Sequence, residues 1–193
     1  MSILMLKNKV HAFPAIAEAA SIGDGEPAFG TRLVIDPKDD DVALIEKAMK
    51  EVARAKWKDD GDAVLAMLIE DGKVAFERKP YRSKKTGKVY EGFEGKFNLG
   101  TRNPKAQPTV FNQYGEPVTG KSAIEQLVYS GCRINAKVEF WAQDNSFGRR
   151  INCSLLGVMF AGDGERFGGG SAPASADDFA GMATAKAAAE DVL

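Results

Sequence analysis

Between Cys132 and Trp141 the chain alternates strictly. Cys132, Ile134, Ala136, Val138 and Phe140 share one side, and Arg133, Asn135, Lys137, Glu139 and Trp141 share the other. A period of two with one apolar side predicts a strand with one buried face. Asp144, Asn145, Ser146 and Gly148 are turn formers and predict a hairpin connection. The more apolar Ile151 to Phe160 returns as a central strand, and Gly157 within it predicts a bulge. Upstream the period changes. Val42, Ile45, Met49 and Val52 recur at i, i+3, i+7 and i+10, the stripe of a helix running from Val42 to Lys56. Pro37 and the acids Asp39 to Asp41 suit its N-terminal end, and Trp57 is expected to close it against the core.

The remaining segments are shorter. Leu4 to Phe13 predicts a first strand interrupted at Pro14, and Ala15 to Ala28 an Ala- and Gly-rich loop. Phe29 to Asp36 predicts a second strand. Ala63 to Ile69 fits a short helix, Val74 to Phe76 the start of a strand, and Lys79 to Lys88 a polar loop. Val89 to Leu99 suggests one or two strands broken by glycines, and Thr109 to Phe111 a short one. After Arg166 the chain becomes G-G-G-S-A-P-A-S-A, a flexible linker composition. Ala180 to Glu190 is Ala-rich and fits a frayed helix. Many short strands, glycines at bends and one internal helix fit a mainly β, small Greek-key barrel.

Charge refines this picture. The 193 residues carry a net charge of −1, which argues against a uniformly basic nucleic-acid binder. The distribution is uneven: Lys73 to Lys105 hold ten Lys or Arg against three Glu, whereas Ser171 to Leu193 hold four acids against Lys186. A basic middle with an acidic end is expected of a binder whose tail competes for its own groove. Within the basic stretch, Tyr81 and Tyr90 interleave with Arg78, Lys79, Arg82, Lys84, Lys85 and Lys88, with Lys96 and Arg102 beyond. Cations that track phosphates beside rings that stack bases suit single-stranded nucleic acid. The polar face of the alternating strand repeats the combination with Arg133, Lys137 and Trp141. The hairpin tip repeats it again with Phe147, Arg149 and Arg150. The bland alternatives are a solvated charge run and a Trp that merely covers the sheet edge.

These features resemble the single-stranded DNA-binding proteins of tailed bacteriophages. The stretch Y-S-G-C-R-I-N-A-K-V-E-F-W, the hairpin A-Q-D-N-S-F-G-R-R and the strand I-N-C-S-L-L-G-V-M-F match in order. So do V-H-A-F-P-A-I, G-D-G-E-P-A-F-G-T-R-L-V-I-D-P and the helix ending A-K-W near the front. The resemblance covers most of the chain, with loose individual motifs. It implies an OB-fold, a five-stranded Greek-key barrel, over residues 1–167 and a flexible, weakly acidic tail over 168–193. It implies sequence-tolerant single-stranded DNA binding during replication or recombination, in the cytoplasm of an infected bacterium. Asp177, Asp178 and Phe179 correspond to the family's acidic, aromatic-ended tail and imply contact with phage or host replication and recombination proteins. Here they are followed by fourteen mostly neutral residues, a departure from the family pattern. Monomer and homodimer both remain open.

Two other readings compete. Gly115-Glu116-Pro117-Val118-Thr119-Gly120-Lys121-Ser122 matches G-x-x-x-x-G-K-[ST], the phosphate-binding loop of NTPases. That loop needs a buried strand before it and a substantial helix after it, whereas T-V-F-N-Q-Y is short and A-I-E-Q-L-V-Y ends at Ser130-Gly131. The bland reading is a turn and a connector. The third reading is a structural phage protein with an OB-like barrel. The composition also argues against several classes. No apolar run approaches the ~20 residues of a membrane span, and M-S-I-L-M-L-K lacks the parts of a signal peptide. Cys132 and Cys153 are expected to be reduced core thiols. One histidine, His11, with two separated cysteines makes a structural zinc site or a Cys-His catalytic pair unexpected. Neither metal nor cofactor is expected. The one strong helix spends its stripe on the core, which argues against sequence readout of duplex DNA.

Overall fold

A computed structural model describes residues 1–21 and 25–168. The expected tail, with Asp177, Asp178, Phe179 and the Ala-rich 180–190 segment, lies outside the described residues. The strands are β1 (Ser2–Ala20), β2 (Ala28–Ile35), β3 (Phe76–Glu77), β4 (Phe97–Gly100), β5 (Thr109–Phe111), β6 (Arg133–Asn145) and β7 (Gly148–Gly162). They form one sheet in the order β3-β4-β2-β1-β6-β7-β5. Every pairing is antiparallel except β5 with β7. The helices are α1 (Asp41–Trp57), α2 (Gly61–Glu70) and the seven-residue α3 (Lys121–Leu127).

β4-β2-β1-β6-β7 is the five-stranded OB-like frame, to which the two-residue β3 and three-residue β5 are added. The sheet is curled without a continuous closing ladder. Arg102 N donates to Cys153 O at 2.8 Å and Ile151 N to Lys73 O at 3.1 Å, spanning the gap. The inward side is apolar, with Leu6, Leu33, Ile35, Leu99, Ile134, Phe140, Ile151 and Leu155 all buried. Cys132, Ile134, Ala136, Val138 and Phe140 are fully buried, as their alternation predicts. The bulge expected at Gly157 is present: Lys137 pairs with Gly157, but Val138 pairs with Leu155.

β1 departs from expectation. It runs through Pro14 and on to Ala20, absorbing much of the predicted loop. Three register shifts allow this, the last between Ala15 and Ala20. Residues 2–10 pair with β6 and residues 11–20 with β2, so one strand turns a barrel corner. The first bulge lies between Leu6 and Lys9, with Asn8 at φ 53°. The second lies between Ala12 and Ala15, with Phe13 at φ 54°. A proline is tolerated in a strand at such a bulge, where no ladder hydrogen bond is required of it. Val89–Leu99 gives one strand, β4, with Gly92 and Gly95 at positive φ in the turns before it.

α1 buries Val42, Ile45, Ala48, Met49, Val52 and Ala53, the predicted stripe. The buried Lys9 fixes its start by pairing with Asp39 and with Asp41, the latter at 2.8 Å. A left-handed Lys58 ends the helix, and α2 turns back so closely that a Cβ on Gly61 would lie 2.7 Å from Arg54 Cα. Trp57 is partly covered, and its Nε1 donates to Asp144 Oδ2 at 2.7 Å.

Candidate nucleic-acid interface

The basic stretch forms a narrow finger. Tyr90 N donates to Tyr81 O at 3.0 Å, Arg82 bridges Val89, and Ser83 N donates to Lys88 O at 2.8 Å. Gly87, at φ 71°, completes the turn at the tip. This pairing holds Arg82, Lys84, Lys85 and Lys88 exposed along the finger. It also sets Tyr81 opposite Tyr90 at the base, where their rings stack at 5.0 Å and 24°. Fully buried Phe93 supports the base, with its ring 5.8 Å from Tyr81.

Two residues overlooked in the sequence complete the cluster. The Arg32 guanidinium carbon lies 3.7 Å from the Tyr81 ring centroid, a cation–π contact, and Arg32 also donates to Asn98 Oδ1. Burial holds this guanidinium below its ordinary pKa, with Tyr81 and Glu77 acting in the opposite direction. Gly100 leaves room for it, since a Cβ there would stand 3.1 Å from an Arg32 nitrogen. Phe13, projected by its bulge, sets its ring edge-to-face 4.9 Å from Tyr90 and 5.9 Å from Tyr81. Arg32 was legible only as a polar position within T-R-L-V-I. Phe13 looked like the end of an apolar strand.

Beside this cluster lies a groove of about 380 Å³, walled by Phe13, Phe29, Gly30, Arg32, Tyr81, Tyr90 and Arg102 among others. Arg102 donates to Glu26 O at its rim. Of the predicted residues, the structure therefore brings Tyr81, Tyr90 and Arg102 together at one groove, beneath the finger of Arg82, Lys84, Lys85 and Lys88. Other cations of that stretch are already engaged: Arg78 pairs with Glu46, Lys96 with Asp36, and Lys79 with Glu77 at 3.1 Å.

The β6 residues lie elsewhere. Arg133, Lys137 and Trp141 occupy its outer face, and Trp141 Nε1 donates to Ser154 Oγ at 3.0 Å. Lys137 joins Met5, Lys7, Phe111, Leu156 and Met159 around a separate depression of about 590 Å³. Phe147, Arg149 and Arg150 form a third group at the β6–β7 tip. Phe147 is 89% exposed, and Arg149 pairs with Asp144 at 3.3 Å.

The G-x-x-x-x-G-K-S stretch forms no phosphate cradle. Gly115 N donates to Asn112 O at 3.1 Å in a tight turn, and Val118 N returns to Val110 O at 2.8 Å. Lys121 pairs with Glu18, and the helix after it has seven residues. The preceding β5 is a three-residue edge strand.

His11 does meet a cysteine. Its Nε2 lies 3.3 Å from Cys132 Sγ, and its Nδ1 lies 2.8 Å from Thr31 Oγ1, which donates to Ala12 O at 2.9 Å. This assigns Nδ1 as donor and Nε2 as acceptor of the thiol proton. Burial lowers the His11 pKa to about 4 and pushes the Cys132 thiol up to about 12. A reactive cysteine requires the opposite shift and access to solvent, so this pair serves the core.

Comparison with known proteins follows the same lines. Residues 3–193 match the family described as "Enterobacter phage Enc34, ssDNA-binding protein". The chain belongs to this family of phage single-stranded DNA-binding proteins. It is 31% identical over 186 residues to "Putative protein p50" of Acyrthosiphon pisum secondary endosymbiont phage 1, covering 95% of each. Its fold is similar to that of the bacteriophage Enc34 single-stranded DNA-binding protein solved with ssDNA, with a TM-score of 0.70 and 23% identity. That alignment covers 86% of this chain and 89% of the other. It is also similar to gp2.5, a single-stranded DNA-binding protein of bacteriophage T7, with a TM-score of 0.54 and 13% identity over 95% of both chains.

Proposed function

We propose that this protein binds single-stranded DNA without reading its sequence, at the groove where the 81–90 finger meets β2 and β4. The observation that carries this reading is the cluster of Phe13, Tyr81, Tyr90 and Arg32 beneath the cationic finger. Phe13 and Tyr90 at the base offer stacking worth about 1–3 kcal/mol per base, with Tyr81 held between Tyr90 and Arg32, while the finger draws in phosphates and releases counterions. Family membership and the likeness to an Enc34 protein solved with ssDNA support the same ligand. Arg133, Lys137 and Trp141, then Phe147, Arg149 and Arg150, extend the strand's path over the outer face and the hairpin tip. Arg78, Lys79, Lys96 and Arg102 add charge alongside.

In this reading the protein coats unwound strands during phage replication or recombination in the cytoplasm of the infected host, and performs no covalent chemistry. Asp177, Asp178 and Phe179 engage replication or recombination proteins once DNA has displaced the tail from the groove. Among the described residues, no helix is long and apolar enough to cross a membrane.

The test is fluorescence anisotropy with labelled oligo-dT, duplex DNA and RNA at several salt concentrations. Oligo-dT should bind tightest, with affinity falling steeply as salt rises, and truncation after Gly170 should raise affinity modestly at low salt. Lack of binding to oligo-dT would overturn the reading. Equal affinity of full-length and truncated protein at low salt would overturn the tail's competition alone.

A further inference from the structure

Phe13 combines a strained backbone at a bulge with an exposed position. It is held at φ 54°, a conformation that costs a non-glycine residue energy and persists only where the surroundings impose it. The residue is 51% exposed, so the core recovers little apolar burial from it. The bulge between Ala12 and Ala15 nonetheless aims this ring over the groove, edge-on to Tyr90.

Its neighbours are less available. Tyr81 has Arg32 over its ring at 3.7 Å and Tyr90 stacked against it at 5.0 Å, so its faces are taken. Tyr90 is only partly exposed, so Phe13 is the most exposed ring in the groove wall. Below it the floor is bare backbone. Gly30 packs so tightly on the residue after β4 that a Cβ would lie 2.1 Å from Thr101 O. Phe29, Ala15 and Ala28 add apolar sides, and the whole groove of about 380 Å³ is roomy enough for an unstacked base.

The two threonine hydroxyls in this wall have already spent their hydrogen bonds. Thr101 Oγ1 donates to Thr31 O at 2.8 Å and accepts from Thr31 N at 2.9 Å. Thr31 Oγ1 donates to Ala12 O and accepts from His11 Nδ1. Neither hydroxyl is left to read the edge of a base. Recognition here rests on ring contact and shape, which every base satisfies.

From this geometry we infer that Phe13 walls a nucleobase subsite that takes one base out of the stack and does not discriminate its identity. The inference rests on the proposed single-stranded DNA binding and adds a residue, a ligand moiety and a cause of sequence tolerance. Arg102 at the rim is placed to meet the adjoining phosphate.

The test compares oligo-dT of about 20 nucleotides with an abasic oligomer of equal length and charge. Phe13→Ala should weaken oligo-dT binding roughly tenfold while leaving abasic binding and the salt slope as in the parent. Phe13→Trp should restore affinity and Phe13→Leu should not. Parent affinities for oligo-dT, oligo-dC and oligo-dA should agree within about threefold. The inference is overturned if Phe13→Ala leaves oligo-dT binding unchanged, or weakens dT and abasic oligomers alike. Should Phe13→Ala fold poorly, the Leu–Trp comparison decides alone: equal affinities overturn the inference. A parent that binds no oligo-dT would bring down the proposed function itself.

Discussion

Tyr90 donates its backbone N–H to Tyr81 O at 3.0 Å, and the two rings consequently stack 5.0 Å apart at the foot of the basic finger. Cross-strand pairing sets this contact, in the way that opposed residues on any antiparallel ladder bring their side chains together. The eight positions between the two tyrosines matter only because the turn at Gly87 reverses the chain. Arg32 then locks the free side of Tyr81.

Arg32→Lys keeps the charge but loses the planar group that lies on Tyr81 and bonds Asn98. Stability should fall by about 1 kcal/mol, read from the urea midpoint. Single-strand affinity should fall several-fold with an unchanged salt slope, because no phosphate-facing charge has been removed. A variant with parent affinity would show that Arg32 does not organise the site.

Removing Arg82, Lys84, Lys85 and Lys88 together should flatten the plot of log affinity against log salt. For single strands each neutralised phosphate contributes about 0.7 to the slope, so full engagement of the four predicts a decrease of nearly 3. Arg78→Ala should change the slope less, since Arg78 is already paired with Glu46. An unchanged slope in the fourfold variant would place the DNA path away from the finger.

How far these features could be read from sequence follows from their range. The β6–β7 hairpin and α1 were legible because each keeps one period over many residues: Cys132 to Phe140 alternate, and Val42 to Val52 form a stripe. The finger's composition was legible for the same local reason. Phe13 and Arg32 were not, because their roles depend on a bulge and on a long-range stack. One extra residue between Ala12 and Ala15 turns an apparent strand end into a groove wall. Nothing local distinguishes Arg32 from an ordinary polar position on a half-buried strand until Tyr81 folds over it. Pro14 misled for a related reason, since a proline reads as an interruption unless the bulge that accommodates it is known. Conversely, Tyr81, Trp141 and Phe147 share a composition but lie on three different surfaces, a division that spacing alone does not encode.

Trp141 can be tested alone. In a Trp57→Phe protein the remaining tryptophan emission comes from Trp141, because the chain contains two tryptophans. Its indole N–H is held by Ser154, and its ring lies on the outer face of β6. Saturating oligo-dT should quench this emission if the strand crosses that face. Unchanged emission at saturation would confine binding to the groove and the finger.

Lys121→Ala removes the ion pair with exposed Glu18 and should leave both oligo-dT affinity and the urea midpoint close to those of the parent. Added magnesium and ATP should give no turnover in either protein. Turnover lost with Lys121→Ala would mean that Gly115 to Ser122 act as a phosphate loop after all.

His11 makes stability depend on pH in a window that the carboxylates barely touch. It is the chain's one histidine, and burial lowers its pKa from 6.5 to about 4. Between those values the unfolded chain holds a proton that the folded protein refuses, so folding opposes protonation. Its neutral form contributes fully above about pH 7.5. That contribution declines as pH falls through 6.5, and the loss levels off near pH 4, where the folded form also takes the proton. About 1 kcal/mol should disappear between pH 7.5 and 5.5, and about 3 kcal/mol over the whole range. The physical cause is burial, which strips water from the charged imidazolium where His11 sits between the Cys132 thiol and Thr31 and outweighs the opposing pull of the Tyr129 backbone. Urea midpoints measured in steps from pH 7.5 to 5.5 should fall in the parent and stay level in His11→Gln, whatever that variant's absolute stability. A parent whose midpoint does not move across this window would mean that His11 titrates alike in both states and that its ring is open to solvent.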